Sequence, residues 1–396
     1  MNDIIALKTS KHLKQSSVIR AMFEEGEKLR RIYGAENVFD FSLGNPDPEP
    51  PKAVKNALKR LVSEDKPGAH GYMNNAGYPE VRARVADGIN GETGRKLSYR
   101  NIIMTCGAGG ALNTTLKTIL NPGEEVIVFA PFFPEYKFYI DNFGGKIVEV
   151  STSTTTFEPD PDCLERSINS RTKAIILNSP NNPTGVIYSE SLLKTIAGVV
   201  DKKDRELDTR ICIISDEPYS RLVYDNIKLP SVLNIFRNSV VINSFSKSHS
   251  LPGERVGYIA VNYEMENAGE LIDGLVFSNR ILGYVNAPAL FQQVVAMSFE
   301  NVVDSSIYAE RRDILYNHLI RLGFSCVKPQ GAFYLFPKAL IPDDKEFISH
   351  ALKYNLVLVP GSGFGCPGYF RIAYCMDMKT IENSLAAFSA LAEEFH

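Results

Sequence analysis

Lys247 stands in the run NSFSKSHSLPGERVGY, residues 243–258, among serines and a histidine, with Pro252-Gly253 and then Arg255 downstream. The preceding SVVI reads as the end of a buried strand, so the amine emerges where a strand stops and a loop begins, which is where α/β proteins keep their chemistry. Taken alone, a lysine in a serine-rich loop is a solvated surface cation. Three other strand ends carry polar groups of the same promise. CGAGGALN opens a helix near Ala111 on Gly107, Gly109 and Gly110, and such a turn offers free N–H groups to a phosphate, although it also serves close packing. AIILN runs into SPNNPTG, where Asn182 precedes Pro183 and is held extended; CIIS runs into DEPYS, placing Asp216 and Tyr219 on one turn. Each has a plain structural use, since asparagine before proline initiates turns and Asp216 suits a helix cap. Together an amine nucleophile, a carboxylate, a phenol, an amide and an anion cradle match the needs of pyridoxal 5′-phosphate (PLP): an imine-forming lysine, a partner for the pyridinium nitrogen, donors to the ring oxygen and a phosphate cup.

Two rival motifs lack support. Ser244-x-x-Lys247 matches the S-x-x-K of serine acyl-transferases, but the chain has no S-D-N and no K-T-G, and its Ser215-Asp216 pair runs into glutamate. Gly363-x-Gly365-x-x-Gly368 spells a dinucleotide fingerprint, yet a strand follows it rather than a helix, so it reads as a loop approaching the site and not as a nicotinamide site.

The elements that must position these groups alternate. NIIMTCG, EEVIVFAPFF, TKAIILNSP, TRICIISDEPYS and NSVVINSFSK are β-type runs; ALNTTLKTIL, EYKFYIDNFG and SESLLKTIAGVV between them are helix-type. Such alternation predicts an α/β architecture, a mostly parallel sheet with helices on both faces. Ahead of it, Ser17 is placed to cap a helix SVIRAMFEEGEKLRRIYG, FDFSLGNPDPEPP reads as a short strand breaking into a Pro-rich loop, and PKAVKNALKRLV as a helix with Pro51 at its first turn. After it, one long helical stretch from about Val285 to Arg321 leads into FSCVKPQGAFYLF, NLVLVPGSG and YFRIAYC, strands of a smaller α+β lobe. The expected division is a large domain over 46–284 and a small domain made of 1–45 and 285–396.

Composition narrows the class. With 396 residues the chain exceeds one typical core, and 43 basic against 46 acidic residues give a net charge of −3 without a dense basic block, which argues against nucleic acid or an anionic membrane as partner. MNDIIALKTSKHLKQ lacks the apolar core of a signal peptide, and no stretch has the length of a membrane span, so a cytoplasmic protein is expected. The six cysteines are scattered without a C-x-x-C, which suggests neither a disulfide framework nor a zinc site.

S-x-S-K-x-x-x-x-P-G-x-R-x-G, N-N-P-T-G, D-E-P-Y and F-R-I-A-Y occur in an order and at a spacing that resemble the fold-type-I PLP-dependent aminotransferases of class I/II, the aspartate aminotransferase-like family, over essentially the whole chain. The resemblance implies that Lys247 forms the imine with PLP and, once released, shuttles the substrate's proton. It implies that Asp216 pairs with the pyridine nitrogen and keeps it protonated, as a nearby anion does by raising that nitrogen's pKa. Asn182 and Tyr219 would hydrogen-bond the ring oxygen, and Phe133 in APFFPEY would stack on the ring, with Phe132 its near rival. The phosphate would rest on the Gly107 turn through the Ala108 and Gly109 N–H groups, on Ser244 and Ser246, and on Arg255, whose planar fork suits a phosphate. Many relatives carry a side-chain donor where Gly109 stands, so this cup rests more on backbone.

By the same resemblance Tyr72, in HGYMNNAGYPEVR, reaches the phosphate of a second subunit, making a C2 homodimer with shared sites. In YFRIAYC, Phe370, Ile372 and Tyr374 alternate against Arg371, which as an isolated residue would face solvent. In the family it clamps the substrate α-carboxylate, with Asn182 beside it and the Gly44 backbone facing the substrate. Arg280 lies near, but one position out of register with, the arginine that reads a second carboxylate, and the pocket aromatics Phe133, Tyr136, Tyr334 and Phe364 tolerate other side chains. The implied reaction is ping-pong transfer from an L-amino acid (aspartate, glutamate or an aromatic one) to a 2-oxo acid such as 2-oxoglutarate. A PLP β-C–S lyase, an aminocyclopropanecarboxylate synthase-like enzyme and an inactive PLP-binding scaffold are the alternatives.

Overall fold

The computed structural model describes residues 4–14 and 18–395; the expected cap Ser17 lies outside them. Its centre is a seven-stranded sheet of order β2-β8-β7-β6-β5-β3-β4. In chain order, after a short β1 (Phe39–Asp40), these strands are β2 (Ile102–Thr105), β3 (Glu125–Ala130), β4 (Lys146–Ser151), β5 (Thr172–Asn178), β6 (Cys212–Asp216), β7 (Ser239–Ser244) and β8 (Gly257–Val261). β4, β3, β5, β6 and β7 run parallel, while β8 runs antiparallel to both its neighbours, β7 and β2. The mostly parallel sheet is the expected one; β4 and the antiparallel β8, whose GYIAV directly follows the lysine loop, are additions.

The strands are Val/Ile-rich because both faces are covered, and alternate residues go to opposite cores. On β3, Val126 and Val128 join one core with helices Gly107–Ile119 and Ala268–Ile281, while Ile127 and Phe129 join another beneath helix Glu190–Leu207. A third core, under β2 and β8, is closed by helices Lys52–Glu64, Pro79–Thr93 and Ala289–Ser298.

A smaller layer follows. β9 (Tyr334–Leu335), β10 (Leu356–Val357), β11 (Val359–Pro360) and β12 (Phe370–Ala373) form a three-stranded antiparallel sheet, β11-β12-β9, and a parallel pair of β10 with β1. Helices Ser306–Arg321, Asp344–Lys353 and Met378–Glu393 pack on them around Phe41, Tyr308, Leu315, Phe333, Phe347, Phe370 and Phe388. The long helix expected over 285–321 is two helices, Ala289–Ser298 and Ser306–Arg321. Between them the chain leaves helical pairing so that Val303 N–H donates to the Ser248 carbonyl at 2.8 Å, and Asp304 accepts from the Ser306 N–H at 2.9 Å to start the second helix. Val294, Val295 and Phe299 sit in the core under β2, and Val303 in that of the smaller layer.

One glycine ties sheet to site. A Cβ on Gly257 of β8 would lie 2.6 Å from the Asn243 carbonyl oxygen and 2.8 Å from the Gly107 carbonyl carbon, both main-chain atoms that cannot swing aside. Replacing Gly257 with alanine should therefore destabilise the ligand-free protein by about 1–3 kcal/mol through overpacking; calorimetric melting that matches the parent would show that the β7–β8–Gly107 contact is slack.

Candidate active site

Every strand end singled out in the sequence opens into one cavity of about 280 Å³ at the carboxyl edge of the parallel strands, lined among others by Ala108, Gly109, Phe133, Asn178, Asn182, Asp216, Tyr219, Ser244, Ser246, Lys247, Arg255 and Arg371. Lys247 lies in the one-turn helix Phe245–Ser248 that continues β7, with Ser244 as the residue before it. Its Nζ donates to the Gly44 carbonyl and lies 5.4 Å from the Phe333 ring centroid. Burial lowers the lysine to about 8; the thiol of Cys375 works the other way, while Arg371 and Arg255 add to the lowering. An amine so placed is neutral in a usable fraction near physiological pH. It pairs with Gly44 rather than with Ser244, which removes the geometry an acyl-transferase serine would need.

Asp216 ends β6 and is 5 % exposed. Its Oδ2 accepts a 2.6 Å hydrogen bond from the Tyr136 hydroxyl, and its main-chain oxygen accepts from Asn178 Nδ2 at 2.8 Å. Oδ1 is buried with no partner. Burial raises the carboxyl to about 6, against the lowering by Tyr136. A buried carboxylate holding one oxygen ready for a cationic N–H donor is what a pyridinium nitrogen requires.

Arg371 of β12 is 1 % exposed. Its guanidinium carbon lies 4.7 Å from the Tyr334 ring centroid and 4.9 Å from that of Phe364. Nη1 donates to Asn182 Oδ1 at 3.1 Å, Nη2 to the Ser42 carbonyl, and Nε has no partner. Among the described residues no carboxylate pairs with it, so a buried cation faces the cavity with neutral acceptors only. Asn182 is in turn fixed by its own N–H, which donates to Asn178 Oδ1 at 2.7 Å. Alternation along β12 does not send Arg371 to solvent, because loop 361–368 and its Phe364 cover that face. The glycine fingerprint is thus a cover for an arginine.

The anion cradle is assembled at the paired ends of β2 and β8. Gly107, at φ +70°, starts helix Gly107–Ile119, and a Cβ there would lie 2.8 Å from Arg255 Nη2, so only glycine lets the guanidinium approach the helix N-terminus. Arg255 itself adopts φ +53° and is steadied by a 3.0 Å hydrogen bond from Nη1 to the Pro252 carbonyl. Phe133 lines the cavity, whereas Phe132 is 1 % exposed within the core.

Tyr72, expected to act across to a second subunit, and Arg280, left open as a reader of a second carboxylate, lie elsewhere in this chain. The Tyr72 side chain is 96 % exposed and outside the cavity. Arg280 lies exposed in the last turn of helix Ala268–Ile281, 5.5 Å from the Phe277 ring, and does not line the cavity. Conversely, Asn178, Tyr139, Ile19, Leu43 and Cys375 join or flank the site without having been singled out, and Tyr136 and Tyr334, read from sequence as pocket walls, bring working hydroxyls. Only the three-residue spacing of Tyr136 from Phe133 hinted at this; the others come from distant segments.

The orphaned Asp216 oxygen, the softened Lys247 amine and the Gly107–Arg255 cradle fit PLP: the carboxylate would hold the ring nitrogen, the lysine the aldehyde carbon and the cradle the phosphate. Comparison with known proteins agrees. Residues 36–388 match the family described as aminotransferase class I and II. An aspartate/prephenate aminotransferase of Thermus thermophilus is 30% identical over 353 residues, 88% of this chain and 89% of its own length. The crystal structure of an aminotransferase from Eubacterium rectale superposes with a TM-score of 0.96 at 40% identity over 100% of both chains. That of Thermus thermophilus aspartate aminotransferase with maleate does so at 0.87 and 27% identity, over 99% of this chain and 100% of its own. The chain therefore belongs to the class I and II aminotransferases, with the type I fold of that family, and is a PLP-dependent transaminase.

Proposed function

We propose that this enzyme moves the amino group of an L-amino acid to a 2-oxo acid in a ping-pong sequence, with the α-carboxylate of each substrate held by Arg371. The observation that carries this reading is the buried guanidinium of Arg371, stacked between two rings and lacking any anionic partner among the described residues, in the cavity that also contains Lys247. When bound, PLP supplies an electron-accepting ring that makes the α-proton of an attached amino acid removable. With PLP bound, Asp216 Oδ1 would keep a proton on the ring nitrogen, Asn182 and Tyr219 would donate toward the ring oxygen, and Lys247 Nζ would take the α-proton and deliver it to the carbon that carried the cofactor's aldehyde. Ala108, Gly109, Ser244, Ser246 and Arg255 would hold the phosphate, and Phe133 would cover the ring. The Gly44 carbonyl, which takes the lysine's hydrogen bond in this state, faces the substrate.

The relatives named for aspartate, and the neighbour that binds maleate, make aspartate and glutamate the first donors to try. A second substrate carboxylate would need a cation from beyond this chain's own cavity, whose cationic lining consists of Lys247, Arg255 and Arg371. A homodimer in which Tyr72 enters the partner's phosphate site accounts for a tyrosine that stands free of its own fold. Six free cysteines suit a reducing, cytoplasmic setting, and no helix among the described residues is long and apolar enough to cross a membrane.

Exposing the PLP-loaded enzyme to single amino acids without an oxo acid should convert bound cofactor to pyridoxamine phosphate for one donor group; steady pyruvate and ammonia release instead would place the enzyme among the lyases. Replacing Lys247 with alanine should leave PLP binding but slow turnover by about 10²–10⁴-fold or more, and undiminished turnover would remove the lysine from the mechanism. Arg371→Lys should raise KM for every carboxylate substrate by about 10- to 100-fold through loss of the two-pronged contact. With its amine lowered to about 8, Lys247 is neutral above that pH, so the rate at which the ligand-free enzyme captures PLP should rise with pH and level off beyond about 8. A rate that keeps climbing well beyond pH 8, toward about 10, would show the amine to be an ordinary lysine.

A further inference from the structure

One side chain touches three parts of this site. Tyr334 lies on β9 opposite Ala373 of the paired strand β12, and Ala373 is two residues from Arg371, so the phenol ring and the guanidinium share one face of the small sheet. The Tyr334 ring, 2 % exposed, accordingly forms one of the two plates around Arg371. Its hydroxyl meets the Tyr219 hydroxyl at 2.8 Å. It also presses on Gly44, where any Cβ would collide with it, and the Gly44 carbonyl is the one that accepts from Lys247.

Proton bookkeeping at the phenol pair gives the direction. Each hydroxyl owns one proton. If Tyr219 directs its proton toward the cofactor oxygen, the 2.8 Å contact is a hydrogen bond only when Tyr334 donates and Tyr219 accepts. Burial raises Tyr334 to about 12, so its proton remains in place across the working pH range.

We infer that Tyr334 is a positioning residue: by donating to Tyr219 it turns the Tyr219 proton into the pocket, and by its ring it holds the Arg371 plane, so one side chain sets both the donor to the cofactor oxygen and the clamp on the substrate carboxylate. The inference rests on the proposed roles of Tyr219 and Arg371. It assigns separable duties to hydroxyl and ring. A donor to the ring oxygen stabilises its negative charge and thereby lowers the proton affinity of the Lys247 nitrogen bound to PLP; a donor that itself accepts a hydrogen bond is polarised into a stronger one.

The test is the visible absorbance of PLP-loaded enzyme, without substrate, followed against pH for the parent, Tyr219→Phe, Tyr334→Phe and Tyr334→Leu, with steady-state kinetics alongside. Tyr219→Phe should raise the titration midpoint, and Tyr334→Phe should raise it in the same direction by a smaller step. In Tyr334→Phe, kcat should fall about three- to ten-fold while KM for the amino donor changes less than about two-fold, because the ring remains. Tyr334→Leu should in addition raise KM by about ten-fold, the ring over Arg371 being lost. A midpoint unmoved in Tyr334→Phe but moved in Tyr219→Phe would overturn the inference and leave the role of Tyr219 standing. A midpoint unmoved in both would overturn the two together.

Discussion

The site depends on the cost of burying two opposite charges that do not meet. Arg371 is 1 % and Asp216 5 % exposed, and neither finds a charged partner among the described residues. Taking an ion out of water costs several kcal/mol unless geometry and hydrogen bonds offset it. Here the offset is partial: rings and neutral acceptors for Arg371, one phenol for Asp216, with an unpaired atom remaining on each. Such a pocket is poised for a ligand that brings a cationic nitrogen to one end and a carboxylate to the other. Because the donors are already oriented, binding requires little reorganisation at the moment of reaction.

The rest of the fold maintains that arrangement. Parallel strands deliver Asn178, Asp216 and Ser244 to one edge, and the antiparallel β8 closes the sheet against β2 so that Arg255 and the Gly107 turn meet. The segment through β1 acts as a strap: Ala373 N–H donates to the Phe41 carbonyl at 3.0 Å and Asp47 N–H to that of Cys375 at 3.0 Å, which sets Ser42 beside Arg371 and Gly44 beside Lys247. Val303 holds the lysine's short helix from the opposite side through the Ser248 carbonyl. A lysine on a one-turn helix is thus fixed by contacts from two distant parts of the chain, at Gly44 and Val303.

Much of this was legible in advance, and the reason differs between residues. Lys247, Asp216, Tyr219, Asn182 and the Gly107 turn each follow a buried β-type run, and in a parallel sheet all such run ends share one edge, so their convergence is implied by the alternation itself. The split of the 285–321 stretch was not legible, because apolar periodicity continues through it and the break exists for a contact with Ser248. Nor was the direction of Arg371, since alternation shows that it leaves one face of its strand but not that loop 361–368 covers the other.

By itself, the sequence determined the family, the α/β alternation and the identity of the groups at the strand ends, because these depend on local pattern and on motifs of fixed spacing. Only the tertiary structure decided which groups share hydrogen bonds and which charges stay unpaired: Tyr136 on Asp216, Tyr334 on Tyr219, Gly44 on Lys247, and the two rings around Arg371. Those pairings join residues up to hundreds of positions apart. They are selected by burial and by the need to satisfy polar groups away from water, and neither is written in any short stretch of the chain.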